Sequence, residues 1–223
     1  MRPPRVVVEL VGPPGAGKTT LARHLAERHR GIRAGLGADG LPRPLLAAST
    51  LRTLPTLLDL YRSTGGHAWA ESRQIIRLHA LGTFLDRGRT NGSRILLLEE
   101  GPVLVLGWLD VFCPMTRGDV VLTRWRERAL AYWAAVVKLV LVLDAPDAVL
   151  RGRIRARSKP HPVKGKNDAE IDTFIADFRS AFDRIGAALE RQGTRLVAVR
   201  TDEEPVSRVA ERILAVLERE RAR

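Results

Sequence analysis

One stretch near the N-terminus constrains the fold more than any other: Gly12-Pro13-Pro14-Gly15-Ala16-Gly17-Lys18-Thr19-Thr20 matches the spacing G-x-x-x-x-G-K-[ST] of a P-loop, the Walker A motif. Gly12 and Gly17 reach backbone conformations that a Cβ resists, so consecutive N–H groups can turn inward toward phosphate oxygens. A helix opening at Lys18 brings the positive end of its dipole to the same place. Lys18 is then a mobile point charge for β- and γ-phosphates, and the Thr19 hydroxyl is placed to ligate Mg²⁺. Such a loop works only between a strand and a helix. The flanks supply both: the apolar run Val6 to Val11 precedes it, and Leu21 and Leu25 follow one helical turn apart.

A chain of 223 residues suits one domain, 1–223, with a core of ordinary size. Its strands are expected at about 5–11, 95–98, 139–143 and 196–199, with at most one more in the Gly- and Pro-rich stretch 31–46. The continuous apolar character of the first strand fits a central position buried on both faces. The fold expected is therefore three-layered α/β, a mostly parallel five-stranded sheet flanked by helices. Glu9 interrupts the first strand, and the ordinary expectation is a strand-end carboxylate paired with an Arg.

Composition excludes several classes. No run approaches 18 uncharged apolar residues, because Glu99 and Glu100 break Ile95 to Trp108 and Lys138 breaks Val136 to Leu143, so no membrane span is expected. No apolar leader precedes the first strand, which points to the cytoplasm. The lone Cys113 cannot build a disulfide framework. The formal charge of +12 would suit a polyanion, yet 32 Arg and 5 Lys are scattered over every segment and argue against nucleic acid as the partner. Only Arg151 to Lys166 is locally dense, and small phosphorylated ligands explain one cluster.

Between the P-loop helix, expected to end near Arg30 with Gly31 as a left-handed cap, and the strand at 95–98 lies a helical excursion, 47–90. It reads as two helices, about 50–63 and 67–87, separated by Gly65-Gly66. The second sets Arg73 and Arg77 four residues apart on one face. Ile95-Leu96-Leu97-Leu98-Glu99-Glu100 then ends a buried strand in two carboxylates. A hard cation beside a triphosphate needs an oxygen ligand there, which Glu99 or Glu100 could provide, as in a Walker B segment. Trp108, Trp125, Tyr132 and Trp133 are expected to pack, Asp119 to cap a helix, and His161, between Pro160 and Pro162, to be a solvated loop residue. Asn167 with Glu170, and Thr201 with Glu204, both have capping-box spacing. Nowhere do His, Cys and Asp cluster with zinc spacing.

Taken together, the P-loop, Leu96 to Gly101 and Leu150-x-x-Arg153-Ile154-x-x-Arg157 resemble the P-loop nucleoside and nucleotide kinases over the whole chain, the thymidylate and deoxynucleoside kinases above all. The third segment is similar to the family's lid entry. The resemblance implies ATP and Mg²⁺ as cofactors and transfer of the γ-phosphoryl group to a small acceptor, a nucleoside or nucleotide first. It also implies that Lys18 and loop residues 12–20 hold the phosphates. Thr19 and Glu99 would serve the metal, Glu100, Arg153 and Arg157 would act in catalysis, and Arg73, Arg77 and Asp39 would border the acceptor. A homodimer is compatible with it. Residues 151–166 would form a lid, mobile through the mutual repulsion of its charges and closing when ATP binds. Where the family carries an Arg after the strand-end acid, this chain has Glu100, so an uncharged hydroxyl acceptor is favoured over a monophosphate unless Arg73 or Arg77 makes up the charge. Two alternatives stay open: a kinase for another metabolite or an antibiotic, and an ATP-hydrolysing switch or nucleic-acid-associated ATPase in which Glu99-Glu100 is hydrolytic.

Overall fold

The structure is a computed structural model that describes residues 6–37, 40–87 and 93–222. Asp39, the Asn91-Gly92 turn pair and the expected start of the first strand at Arg5 lie outside the described residues. The elements run β1 (Val6–Val11), α1 (Lys18–Arg28), β2 (Ile32–Gly37), α2 (Arg43–Ser63), α3 (Trp69–Asp86), β3 (Ile95–Glu100), α4 (Pro102–Phe112), α5 (Val120–Val136), β4 (Val137–Asp144), α6 (Asp147–Ala156), α7 (Asp168–Glu190), β5 (Arg195–Arg200) and α8 (Val206–Arg221). The five strands form one sheet in the order β2-β3-β1-β4-β5, and every pairing is parallel.

β1 is central because all six of its residues are buried. Strand alternation then sorts the core into two layers. Val6, Val8 and Leu10 pack with α1 and α8 through Leu21, Leu25, Ile213 and Leu217. Val7 and Val11 face the other way, into Leu78, Leu81, Leu106, Leu109, Phe178 and Phe182 from α3, α4 and α7. The chain leaves β1 toward β2 on one side, while β4 lies on the other. The strand order therefore reverses at the carboxyl end of β1, which opens a crevice there, and the P-loop stands in it.

Local signals account for most element ends. Asp119 accepts from the Leu122 amide at 2.9 Å, and Asn167 and Glu170 form the expected reciprocal capping box at the start of α7. Other ends depart from expectation. α1 stops at Arg28, followed by His29 in an extended conformation (φ −132°), so Gly31 is not the cap. α2 begins at Arg43, seven residues before the expected start, and carries Pro55 in its interior. α8 is preceded by Pro205, without a side-chain cap; Thr201 and Glu204 are taken by other partners, the Asp144 carbonyl at 3.3 Å and Arg212 at 2.9 Å. Trp133 is buried in the core, and the Tyr132 hydroxyl meets Asp86 at 3.1 Å, as packing residues should. No helix among the described residues is long and apolar enough to cross a membrane.

Candidate nucleotide and acceptor site

The P-loop winds through the left-handed conformations that its glycines permit: φ is +85° at Gly15 and +89° at Gly17. Space is as tight as conformation at Gly12, where a Cβ would lie 2.1 Å from the Leu143 carbonyl oxygen of β4. Gly17 is the N-cap of α1 and no side chain caps that helix, so its first amides are open to an anion. Thr19 and Thr20 are exposed at this end. Lys18 folds back over the loop, its Nζ donating to the carbonyls of Gly12 at 2.6 Å and Pro13 at 3.2 Å. Burial, helped by the charge of Arg157 and countered by that of Glu99, pushes its pKa down to about 8.

The two carboxylates ending β3 part company for the same reason that the core has two layers. Ile95 and Leu97 belong to the α1 layer, Leu96 and Leu98 to the α3 layer, so Glu99 follows the first pair and Glu100 the second. Glu99 stands near enough to Lys18 for its charge to be felt there. Glu100 is bound by Arg77 of α3 at 3.2 Å. Arg77 is thus brought to the strand end, whereas Arg73, one turn earlier, is exposed.

Among the described residues no three His, Cys, Asp or Glu side chains group around a metal position. The donor set nevertheless fits Mg²⁺ with nucleotide, since that ion is held through one or two protein oxygens plus substrate phosphates rather than in a protein cage. Thr19, exposed at the start of α1, and Glu99, at the end of β3, would supply those oxygens.

Glu9 departs from expectation. It is fully buried and, among the described residues, has no Arg partner; its carboxylate accepts from the amides of Val103 at 3.0 Å and Leu104 at 2.9 Å. It caps α4 from a neighbouring strand, and Gly101 admits it, since a Cβ there would lie 2.6 Å from the carboxyl carbon. Burial pushes its pKa up to about 7 against the lowering effect of those amides.

The two arginines of the lid entry separate in role. Arg153 reaches under the loop, donating to the Gly15 carbonyl at 3.3 Å, the Thr201 hydroxyl at 3.0 Å and the Thr201 carbonyl at 2.7 Å. It ties the P-loop to the end of β5. Arg157 ends α6 in an extended conformation with its side chain exposed, and among the described residues it makes no ion pair. The expected self-repelling cluster is largely neutralised by α7: Arg151 meets Asp172 at 2.5 Å, Arg155 meets Asp168, and Lys166 meets Glu170 at 3.0 Å. The first half of the predicted lid is regular helix held by Leu150 and Ile154 in the core. Only 157–167 is loop, and Val163 anchors its middle.

Two cavities flank the loop. The larger, about 780 Å³, lies over Gly15 to Leu21 between Arg153, Arg157, Thr201 and Val206. The smaller, about 210 Å³, opens beside Gly12 and Pro14 and is walled by α4 and α7 with His161 and Pro162 from the loop. Lys18 lines both. His161 is therefore no solvated residue: it is half-buried, edge-on to Phe174 at 5.7 Å, and burial with the charges of Arg157 and Lys18 holds its pKa below the usual value. Trp108 packs on Phe112 at 4.9 Å, as expected, and also faces the smaller cavity. Sequence reading missed Thr201, Phe174 and Phe178 as cavity residues. The stripe of α7 that supplies the two phenylalanines was visible only as a core face.

No protein-family model and no curated protein sequence matches the chain. Solved structures match it closely in coverage. Shikimate kinase from Bacteroides thetaiotaomicron superposes with a TM-score of 0.51 at 19% identity, over 96% of this chain and 98% of that one. Deoxyadenosine kinase from M. mycoides, with dCMP and dCDP bound as products, gives a TM-score of 0.56 at 14% identity, over 96% of this chain and 99% of that one. At these identities the likeness is one of fold, an α/β fold shared with these two kinases over nearly the whole of each chain.

Proposed function

We propose, for a chain folded as a P-loop kinase, that it transfers the γ-phosphoryl group of ATP to a hydroxyl of a small molecule. One observation carries the reading: two cavities of unequal size meet at Lys18 on opposite flanks of the P-loop. The larger suits the nucleoside of ATP, with its phosphates lying along the loop amides. The smaller brings an acceptor up to the Gly12 end, where the terminal phosphate would be presented. An NTP switch needs only the first of these.

In this reading catalysis is positioning and charge neutralisation. Residues 12–20 cradle the phosphates and Lys18 swings from its own loop carbonyls onto them. Mg²⁺, held by Thr19 and Glu99 when bound, offsets phosphate charge. Arg157 leans over the larger cavity to meet charge developing on the transferred group, while Arg153 keeps the loop in shape. Glu100, paired with Arg77 at the end of β3, lines neither cavity, and Arg73 stands farther out. An ATP consumer of this kind works in the cytoplasm. The test is ADP release stimulated by candidate acceptors, with Lys18→Ala as control. Acceptor-dependent release lost in the variant supports the reading, and release that depends only on DNA or RNA overturns it.

We further propose a homodimer built on α2. The face this helix buries is poor, with Leu45, Ser49, Thr53 and Leu60, while Leu51, Leu54, Leu58 and Tyr61 stand 73%, 43%, 45% and 63% exposed. Their 3-4-3 spacing is that of a helix–helix seam. A second copy laid antiparallel across it covers both stripes and sets Asp59 of each helix close to Arg52 of the other.

A further inference from the structure

We infer that the acceptor is an uncharged alcohol carrying one hydroxyl on a single apolar ring, a choice that rests on the kinase reading above. The smaller cavity decides it. Leu104, Trp108 and Phe112 of α4 form one wall and Phe174 and Phe178 of α7 the other. They fall at every fourth position of their helices, so each helix presents one continuous apolar strip. Among the described residues, the polar groups that side chains bring to this space are those of Lys18 and His161 and the indole N–H of Trp108. Lys18 stands at the P-loop end, where the reacting oxygen must be.

Polarity excludes the commoner acceptors. A nucleoside carries several donors and acceptors on its base and sugar, and among the described residues this lining offers them no Ser, Thr, Asn, Gln, Asp, Glu or Arg. Each orphaned polar group costs about tenfold to a hundredfold in affinity. An anionic polyol fails similarly: Arg77, which meets Glu100 at the end of β3, lines neither cavity. Size agrees. A cavity of about 150 Å³ takes a benzene ring, so about 210 Å³ covers one ring and a hydroxymethyl arm and leaves much of a purine nucleoside outside its walls. Aromatic walls favour a ring over a chain, because faces and edges can both be used.

The step balances without a further reactant. A lone pair of the alcohol oxygen forms the new O–P bond as the bond from the γ-phosphorus to the bridging oxygen breaks. ADP leaves with that electron pair, and the hydroxyl proton passes through a product phosphate oxygen to water. One alcohol and one ATP give one phosphate monoester, ADP and a proton.

The test pairs turnover with binding. ADP release would be measured with benzyl alcohol, cyclohexylmethanol, thymidine, thymidine monophosphate and shikimate. Calorimetry would follow benzyl alcohol binding to the chain loaded with a non-hydrolysable ATP analogue. Expected are kcat/KM values for the two ring alcohols at least tenfold above the other three. Trp108→Ala and the more exposed Phe112→Ala should each lower them tenfold or more with the analogue bound as tightly as before. Thymidine or shikimate matching the ring alcohols would overturn the acceptor class and leave the kinase standing, as would absent benzyl alcohol binding to analogue-loaded protein. Failure to bind the analogue at all would remove the kinase reading and the inference with it.

Discussion

Lys18 shows how a single side chain ties burial to function. Its ammonium is held by its own loop carbonyls yet desolvated enough to bring its pKa down to about 8. The unfolded chain keeps that proton to about 10.5, the ordinary value, so the folded state binds fewer protons between the two and this group's contribution to stability rises with pH across that window. Bound phosphates favour the charged form and raise the pKa again. Affinity for ATP should therefore be flat in pH below about 8 and fall by up to tenfold per unit above it, with proton uptake on binding. Calorimetry in buffers of different ionisation enthalpy checks both; pH-independent affinity from 7 to 10 would mean that Lys18 does not touch phosphate. The neighbouring acids divide the other way. Glu99→Gln should raise the Mg²⁺ concentration needed for half-maximal turnover tenfold or more, while Glu100→Gln, which weakens the ion pair with Arg77, should leave it nearly unchanged. Metal titrations of the two variants decide between them.

At the scale of elements, α6 and the loop after it do different jobs. α6 is fixed by Leu150 and Ile154 in the core and by Arg151 on Asp172, and Arg153 binds it to the P-loop. Losing Arg153 should weaken ATP binding and lower stability by about 1 kcal/mol or more, because the carbonyls of Gly15 and Thr201 lose their donor. Among the described residues the Arg157 side chain has no such bond to break. Arg157→Ala should leave melting unchanged and lower kcat by about a hundredfold, with a smaller change in ATP affinity. Hydrogen exchange should show the same division: residues 157–167 gain protection when a non-hydrolysable ATP analogue binds, and the amides of α6 are protected throughout. Equal protection of the loop with and without analogue would leave it as surface. α4 belongs to this scale too. Glu9 of β1 clamps the amides that open it, so the wall bearing Leu104 and Trp108 is positioned by the same strand that ends in the P-loop.

For the whole molecule, the reversal of strand order about β1 sets the P-loop between the acids of β3 and the end of β4, and α2 lies outside that arrangement with its better apolar face outward. A stable dimer buries about 800 Å² on each partner, and a helix of 21 residues gives a seam about 30 Å long. Light scattering should report a dimer at micromolar concentration, and Leu54→Glu should convert it to a monomer with normal ATP binding. A wild-type monomer at 100 times that concentration would leave the stripe to another partner.

Much of this was legible in the residues because it depends on short-range rules. The strand-loop-helix unit, the period-two burial that leaves carboxylates at the end of β3, the caps at Asp119 and Asn167, and the apolar stripe of α7 each arise within about ten residues, where spacing alone specifies geometry. Which partner a charge meets does not. Glu9 was expected to find an arginine and instead caps a helix 94 residues away in the chain; Thr201 and Glu204 have capping spacing, but Arg153 and Arg212 reach them first. The basic run 151–166 looked self-repelling because the acids that quench it sit on the next helix, facing it only after the two have packed. Likewise the phenylalanines of α7 are a core stripe in sequence and a cavity wall in space. Local patterning sets what each segment is, and only the packing of distant segments sets what each polar group touches, since the desolvation that forces a charge to choose a partner does not exist until the core has closed.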